Sequence, residues 1–473
     1  MRCDKIAIAI LKGRASDMND FSHFGNAGFG DVRLSNRLPR LIGQLAGNPT
    51  ASISAACQDP HQAKAAYRFV GNDEVTVDAI TKITREVTIK NITEASPPVV
   101  LIPQDTSTLN YSGLKATEGL GNTAKKSSLG LEVHSAVAIG ESGEVFGLLA
   151  QKIWTRSSEN FGQADAHSRN LPIEEKESYK WLETLDKVGA SFPGGTKAIH
   201  ICDREGDIFE FFCKAEKVGV LFLVRRCYNR NIVDDHCSKK LDDLVVSTPA
   251  AGRITVRVPR DSHTNRTARN AEVEIKYGKC KVTRDRNKTA SKELPMSVEV
   301  YFVSAVEIDP PEGQEKILWQ LITNVPTESF EDAVTRIQWY TQRWKIETFH
   351  KTLKSGCKVE ELQSETAEKL KKLIAIYSII ALQIMLLTYI ARNHPDESCE
   401  ICLTEDEWKI LYRVANKTKK LPDKPPTIYE AVVLIAKLGG FLARKSDGFP
   451  GVVVTWRGLT SLYTILDAAP FLL

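Results

Sequence analysis

The sequence predicts an α/β protein with a helical region at each end. Three observations carry this. Residues 1–75 hold leucines at helical spacing. Residues from about 97 to 226 alternate apolar strands with amphipathic helices, and residues 361–473 return to helical patterning around a long uncharged run. A chain of 473 residues has room for several domains and a sizeable core.

At the N-terminal end, "DVRLSNRLPRLIGQLAG" places Leu34, Leu38, Leu41 and Leu45 on one helical face, with Arg33, Arg37 and Arg40 elsewhere. "DPHQAKAAYRFVGND" gives a second helix, closed by Gly71-Asn72. Short basic helices of this kind suit a DNA-reading module and equally suit a plain helical cap. The apolar run "IAIAIL" after Lys5 is too short for a secretory signal.

The strands begin with "PPVVLIPQDTS", a continuous apolar run that ends at Asp105. "VHSAVAIG" and "EVFGLLAQKIW" form an antiparallel pair around "ESGE". "IEEKESYKWLETLDKVG" is an amphipathic helix, "TKAIHICDREGD" a buried strand ending at Asp203, and "VLFLVRRC" a further strand. Residues 228–316 read as an all-β insertion of short strands and turns, before "LWQLITN" and a helix that starts after Ser329. The run 373–391 is uncharged and long enough to cross a membrane. It stands alone with Gln383 at its centre, so a buried helix is expected and no membrane partner.

Net charge is only +4, but its sign is uneven. Arg253 to Lys292 contains twelve Lys or Arg against four Asp or Glu. Such a block suits contact with a polyanion, or lysine-protected edge strands. Ten scattered cysteines fit free thiols in a reducing cytoplasm. Cys399 and Cys402 form a C-x-x-C near His394, without the second ligand pair that a zinc site needs.

The segment "YTQRWKIETFHKTLKSG" holds Tyr340, Arg343, Glu347, Lys351 and Lys354 within about a third of a helical turn. They edge an apolar face of Trp339, Ile346, Phe349 and Leu353. A solvated face with i,i+4 pairs gives such a pattern. So does a phosphate-binding cleft. Asp105 and Asp203, each read as ending an apolar strand, lie where α/β folds hold ligands. With Glu347 they make three carboxylates suited to hard divalent cations and in-line phosphoryl transfer.

At these residues a resemblance becomes specific. "YTQRWKIETFHKTLK" resembles the Tyr-x-x-Arg-x-x-x-Glu-x-x-x-x-x-x-Lys signature of the cut-and-paste DDE transposases of bacterial insertion sequences, in the insertion-sequence-four family. "QDTSTLNY" and "CDREGDI" resemble the family's two Asp motifs. "DVRLSNRL" and "AYRFVGN" resemble its DNA-recognition region, and "AKLGGF" with Trp456 its C-terminal region. The resemblance implies a ribonuclease-H-like catalytic domain over 76–360, interrupted by the β insertion at about 228–316. A helical DNA-recognition domain over 1–75 and a helical dimerisation domain over 361–473 flank it.

By the same resemblance Asp105, Asp203 and Glu347 are the catalytic triad and bind two Mg²⁺ ions, with Mn²⁺ as a substitute. Tyr340, Arg343 and Lys354 grip phosphates, Trp319 stacks on a flipped base, Arg225 contacts DNA, and Arg37 and Arg68 read the terminal repeat; Lys351, on the same helical edge, is read from its position alone as a further phosphate contact. Trp319 also fits a core strand position. The implied activity is strand cleavage, hairpin formation and strand transfer by a nucleoid-associated, cytoplasmic bacterial enzyme. Its partners are transposon ends, target DNA and a second copy in the synaptic complex. A related nuclease without strand transfer and a domesticated DNA-binding protein are the alternatives.

Overall fold

The structure is a computed structural model that describes residues 21–472, except 27, 49–50, 58, 124–127, 157–170, 235–236, 259–266, 285–293 and 446. The apolar run after Lys5 lies outside the described residues. Its strands are β1 (Val99–Asn110), β2 (Gly121–Asn122), β3 (Leu129–Ile139), β4 (Val145–Trp154), β5 (Lys197–Cys202) and β6 (Leu221–Arg225). They continue with β7 (Asn231–Asp234), β8 (Cys237–Lys240), β9 (Gly252–Val258), β10 (Arg269–Thr283), β11 (Ser297–Glu307) and β12 (Leu318–Thr323). The result is a mixed α/β protein with helices at both ends of the chain.

Packing divides the chain into two compact units. The first contains residues 1–97, 106–161 and 345–473, and the second 98–105 and 162–344. Strand β1 passes from one to the other between Asp105 and Thr106.

The first unit is mainly helical. Asp31 caps helix Val32–Gly47, and Asp59 with Pro60 starts helix Pro60–Val70; each Asp side chain accepts a backbone N–H that the helix leaves unpaired. Helix Val77–Ala95 lies on β4, where Thr88 Oγ1 donates to the Leu148 carbonyl at 3.0 Å and Asn91 Nδ2 to that of Phe146 at 3.0 Å. The uncharged run forms the middle of helix Ala367–Asn393, and 89% of its most apolar window is buried inside the protein. Leu38, Leu41, Phe69, Ile374, Tyr377 and Ile435 share one apolar core with it, so the run is a core helix. Lys372, also on this helix, donates to the Asn72 carbonyl at 2.7 Å, a cation placed just past the end of helix Pro60–Val70.

Two glycines let the C-terminal helices touch. A Cβ on Gly458, in helix Val452–Leu472, would lie 1.7 Å from the Ile435 carbonyl oxygen of helix Ile428–Leu438. One on Gly439 would lie 2.0 Å from the Val454 oxygen. Gly458→Ala is therefore expected to lower stability by about 1–3 kcal/mol through overpacking. Urea unfolding followed by circular dichroism measures it, and an unchanged midpoint would mean that the helices separate at no cost.

The second unit is built on a sheet in which β1, β5 and β6 run parallel and β12, β11 and β10 continue antiparallel, with β9 and β7 on β10 and β8 on β7. One sheet face packs on helices Tyr179–Val188 and Phe209–Val218 through Trp181, Phe211, Phe212 and Phe222. The other packs through Leu101, Ile199, Ile201, Leu223 and Leu321 on Ile337, Trp339 and Tyr340 of helix Phe330–Thr341, which Ser329 and Asp332 start with a reciprocal capping box.

Three expectations need correction. Residues 228–316 are not all-β, because helix Leu241–Ser247 sits between β8 and β9. Asp105 does not end its strand. β1 runs on to Asn110 as a neighbour of β3 in the sheet, and the Thr106 and Thr108 side chains bond to those of His134 and Glu132 on β3 at 2.9 and 2.8 Å. The 340–356 segment is not one helix. Arg343 N–H bonds back to the Tyr340 carbonyl in a tight turn, helix Trp344–Lys351 follows, and Cys357 N–H closes a wide i→i+5 turn on the Thr352 carbonyl.

Candidate nucleic-acid active site

The site in the second unit follows from strand register. β1 and β5 pair Pro103 with Ile201, and the same offset brings Asp105 to the level of Asp203. β5 and β6 pair Ile201 with Leu223, and that offset brings Arg225 level with Asp203. Carried just past the last paired residues, these offsets bring Asp105, Asp203 and Arg225 to one level across the three strands, about 4.8 Å from strand to strand. They lie on the sheet face whose inner positions are Leu101, Ile201 and Leu223, because side chains alternate along a strand. β12 pairs Leu321 with Arg225, so Trp319, two residues earlier, stands just beyond the row on the same face.

Asp203 stands where the chain leaves β5. Its Oδ1 accepts the Glu205 N–H at 2.8 Å, which fixes the carboxylate over the turn Arg204–Gly206. Burial pushes its pKa above the usual carboxylate range, more than the Glu205 N–H and the nearby Arg343 and Lys180 pull it down. Asp105 lies 3.9 Å from Arg343 Nη1, which the turn after Tyr340 aims at it. Trp319 and Tyr340 meet edge to face with ring centroids 6.1 Å apart. The Tyr340 hydroxyl is buried, with no hydrogen-bond acceptor among the described residues. Arg225 Nη2 donates to the Leu318 carbonyl at 3.1 Å.

Arg225, Trp319, Tyr340 and Arg343 line a cleft of about 670 Å³, and neither Asp105 nor Asp203 is among its lining residues. Arg204, Arg257 and Lys316 also line it, and sequence reasoning did not single them out. Arg257 belongs to the basic block between Arg253 and Lys292, and that block was its only signal. Cations beside aromatic rings suit a phosphate backbone with an unstacked base.

The other expected residues lie in the first unit. Glu347 and Lys351 are on helix Trp344–Lys351, and Lys354 is in the wide turn after it. Lys351 is exposed, and Glu347 and Lys354 are half-buried. Arg68 is exposed at the end of helix Pro60–Val70. Arg37 is held from within, by Gln44 Oε1 at 3.0 Å and the Gln62 carbonyl at 2.8 Å. Among the described residues no group of three or more His, Cys, Asp or Glu is arranged to hold a metal ion. Cys399 and Cys402 are buried thiols, and burial pushes Cys399 up to about 12.

Three known families match. Residues 21–75 match the transposase DNA-binding family, residues 248–384 the transposase DDE domain, and residues 379–472 the transposase Tn5 dimerisation domain. The first supports DNA binding and the last a homodimer. The DDE-domain match includes Glu347 and stops short of Asp105 and Asp203. Occurring in this order along a single chain, the three matches support a DDE transposase resembling Tn5.

Proposed function

We propose that the protein carries out cut-and-paste DNA transposition by metal-dependent phosphoryl transfer on a ribonuclease-H-like core. The observation behind this reading is that Asp105, within β1, comes level with Asp203 and Arg225 at the ends of the parallel strands β5 and β6, beside the Trp319–Tyr340 cleft. Asp105 and Asp203, with Glu347 as the third carboxylate, would hold two Mg²⁺ ions, with Mn²⁺ as a substitute. The donors fit, since hard divalent cations take oxygen ligands and a cation would relieve the burial of Asp203. When bound, such ions activate an attacking hydroxyl and stabilise the leaving oxygen.

The chain's own side chains handle the DNA. Arg225, Arg343, Lys351 and Lys354 hold phosphates at the transposon end, and the buried Tyr340 hydroxyl donates to another phosphate oxygen. Trp319 stacks on a displaced base. Hydrolysis of one strand frees a 3′-hydroxyl, which attacks the opposite strand to give a hairpin. Water reopens the hairpin, and the same 3′-hydroxyl joins target DNA. In this reading residues 1–75 recognise the terminal repeat through Arg68, with Arg37 bracing the two helices, residues 76–360 do the chemistry, and residues 361–473 dimerise. The working place is the bacterial nucleoid.

The test is to incubate the protein with the DNA that adjoins its own reading frame, with Mg²⁺ or with chelator, and to resolve the products. Nicks, hairpins and strand-transfer joints with Mg²⁺ alone are expected. Nicks without joints would leave a nuclease, and bound but uncut ends a DNA-binding protein.

Phosphate contacts give a second test. Arg343→Ala and Lys354→Ala should each lower the log–log salt slope of end binding by roughly 1, the share of one phosphate contact. An unchanged slope with unchanged cutting would return the residue to an ordinary solvated face.

A further inference from the structure

The motif "CDREGDI" contains a second acid that the chemistry above does not use. Asp207 lies at the far end of the short turn that begins at Asp203, and its side chain is fully buried. One carboxylate oxygen accepts the backbone N–H groups of Cys227 at 2.7 Å and Tyr228 at 3.0 Å. The other accepts Arg230 Nε at 2.6 Å. Its backbone carbonyl takes Arg230 Nη2, also at 2.6 Å. Arg230 is held in turn against Phe212, its guanidinium carbon 5.1 Å from the ring centre, and beneath the exposed ring of Tyr228 at 5.9 Å.

Burying an ion pair takes both charges out of water, and an apolar replacement of the same shape is often as stable. Its use here is therefore to be sought in geometry. The residues Asp207 grips begin two positions after Arg225, where the chain leaves β6. A single short turn thus carries a proposed metal ligand at one end and fixes the exit of the phosphate-facing strand at the other. We infer that Asp207 is a positioning residue that holds Arg225 in register beside Asp203, so that the guanidinium and the carboxylate meet one stretch of DNA backbone. The inference rests on the reading of Arg225 as a phosphate contact.

The experiment compares D207A, D207N, R225A and the D207A/R225A double variant, using a labelled duplex of the end adjoining the chain's own reading frame. R225A should lower the salt slope of binding by roughly 1. D207A should lower it by the same amount, and the double variant by no more than either alone. D207N keeps an acceptor for Cys227 and Tyr228, so its slope should return towards wild type. Thermal melting of each variant accompanies the titrations. A wild-type slope in D207A, or additive losses in the double variant, would overturn the inference. So would D207A and D207N that both fail to melt cooperatively, since Asp207 would then be a fold residue only. If R225A itself keeps the wild-type slope, the phosphate reading of Arg225 falls and the positioning role falls with it.

Discussion

Asp105→Asn and Asp203→Asn are each expected to abolish strand cleavage while leaving end binding nearly intact, and Glu347→Gln to do the same. The expected loss is on the order of 10⁴-fold, the scale on which removing one member of a catalytic unit acts. Both Asn variants keep the shape of the row. In D203N the amide oxygen can still accept the Glu205 N–H, so the turn after β5 stays formed. In D105N the carboxylate that faces Arg343 is gone, so the guanidinium is left more available to phosphate. Binding should then be equal or slightly tighter, the opposite of what an unfolded variant would give. Cleavage near the wild-type rate in any one of the three would remove that residue from the catalytic set. Gel-shift titration alongside a denaturing gel separates the two readouts.

Trp319→Ala is expected to slow hairpin formation by roughly tenfold to a hundredfold while nicking continues. Base–aromatic stacking is worth about 1–3 kcal/mol, and each 1.4 kcal/mol or so is a factor of ten in rate. The indole is half-exposed at the cleft and edge-on to Tyr340, so one ring face is not committed to that contact. A sharply bent DNA end gains most from a base moved out of the stack, and the hairpin step needs that bend. Nicked intermediates should therefore accumulate over time. Equal slowing of nicking and hairpin formation, or a variant that loses cooperative melting, would make Trp319 a core residue of β12.

Much of this arrangement can be read from the sequence, because strand pattern and turn chemistry are local. Asp203 was expected at the end of its strand and stands there, and Ser329 starts its helix as expected. What escaped reading depends on neighbours. Thr106, Ser107 and Thr108 look like the start of a loop, yet they continue β1 beside β3, a pairing that no local pattern reveals. The break between Thr341 and Trp344 has neither Pro nor Gly to mark it. Arg37 falls on a polar face by periodicity, and only the adjacent helix supplies its partner at Gln62. The row through Arg225 depends on the pairing of three strands, which spacing along one strand does not fix.

The two compact units also have different birthdays. The ribosome delivers the chain from its N-terminus, and the second unit is complete in sequence once Trp344 has emerged. The first is not, since its last piece begins at Lys345 and includes helix Ala367–Asn393. Until that helix is made, the inner faces of the early helices, at Leu38, Leu41 and Phe69, lack part of the apolar core they join. Domains generally fold as units during synthesis, and exposed apolar surface draws chaperones or aggregates. A frameshift or premature stop after Trp344 would thus release a chain with its second unit complete and its N-terminal helices unseated. A copy that stops there lacks part of the core on which the helices matching the transposase DNA-binding family pack, so the order of manufacture leaves that region to be finished last.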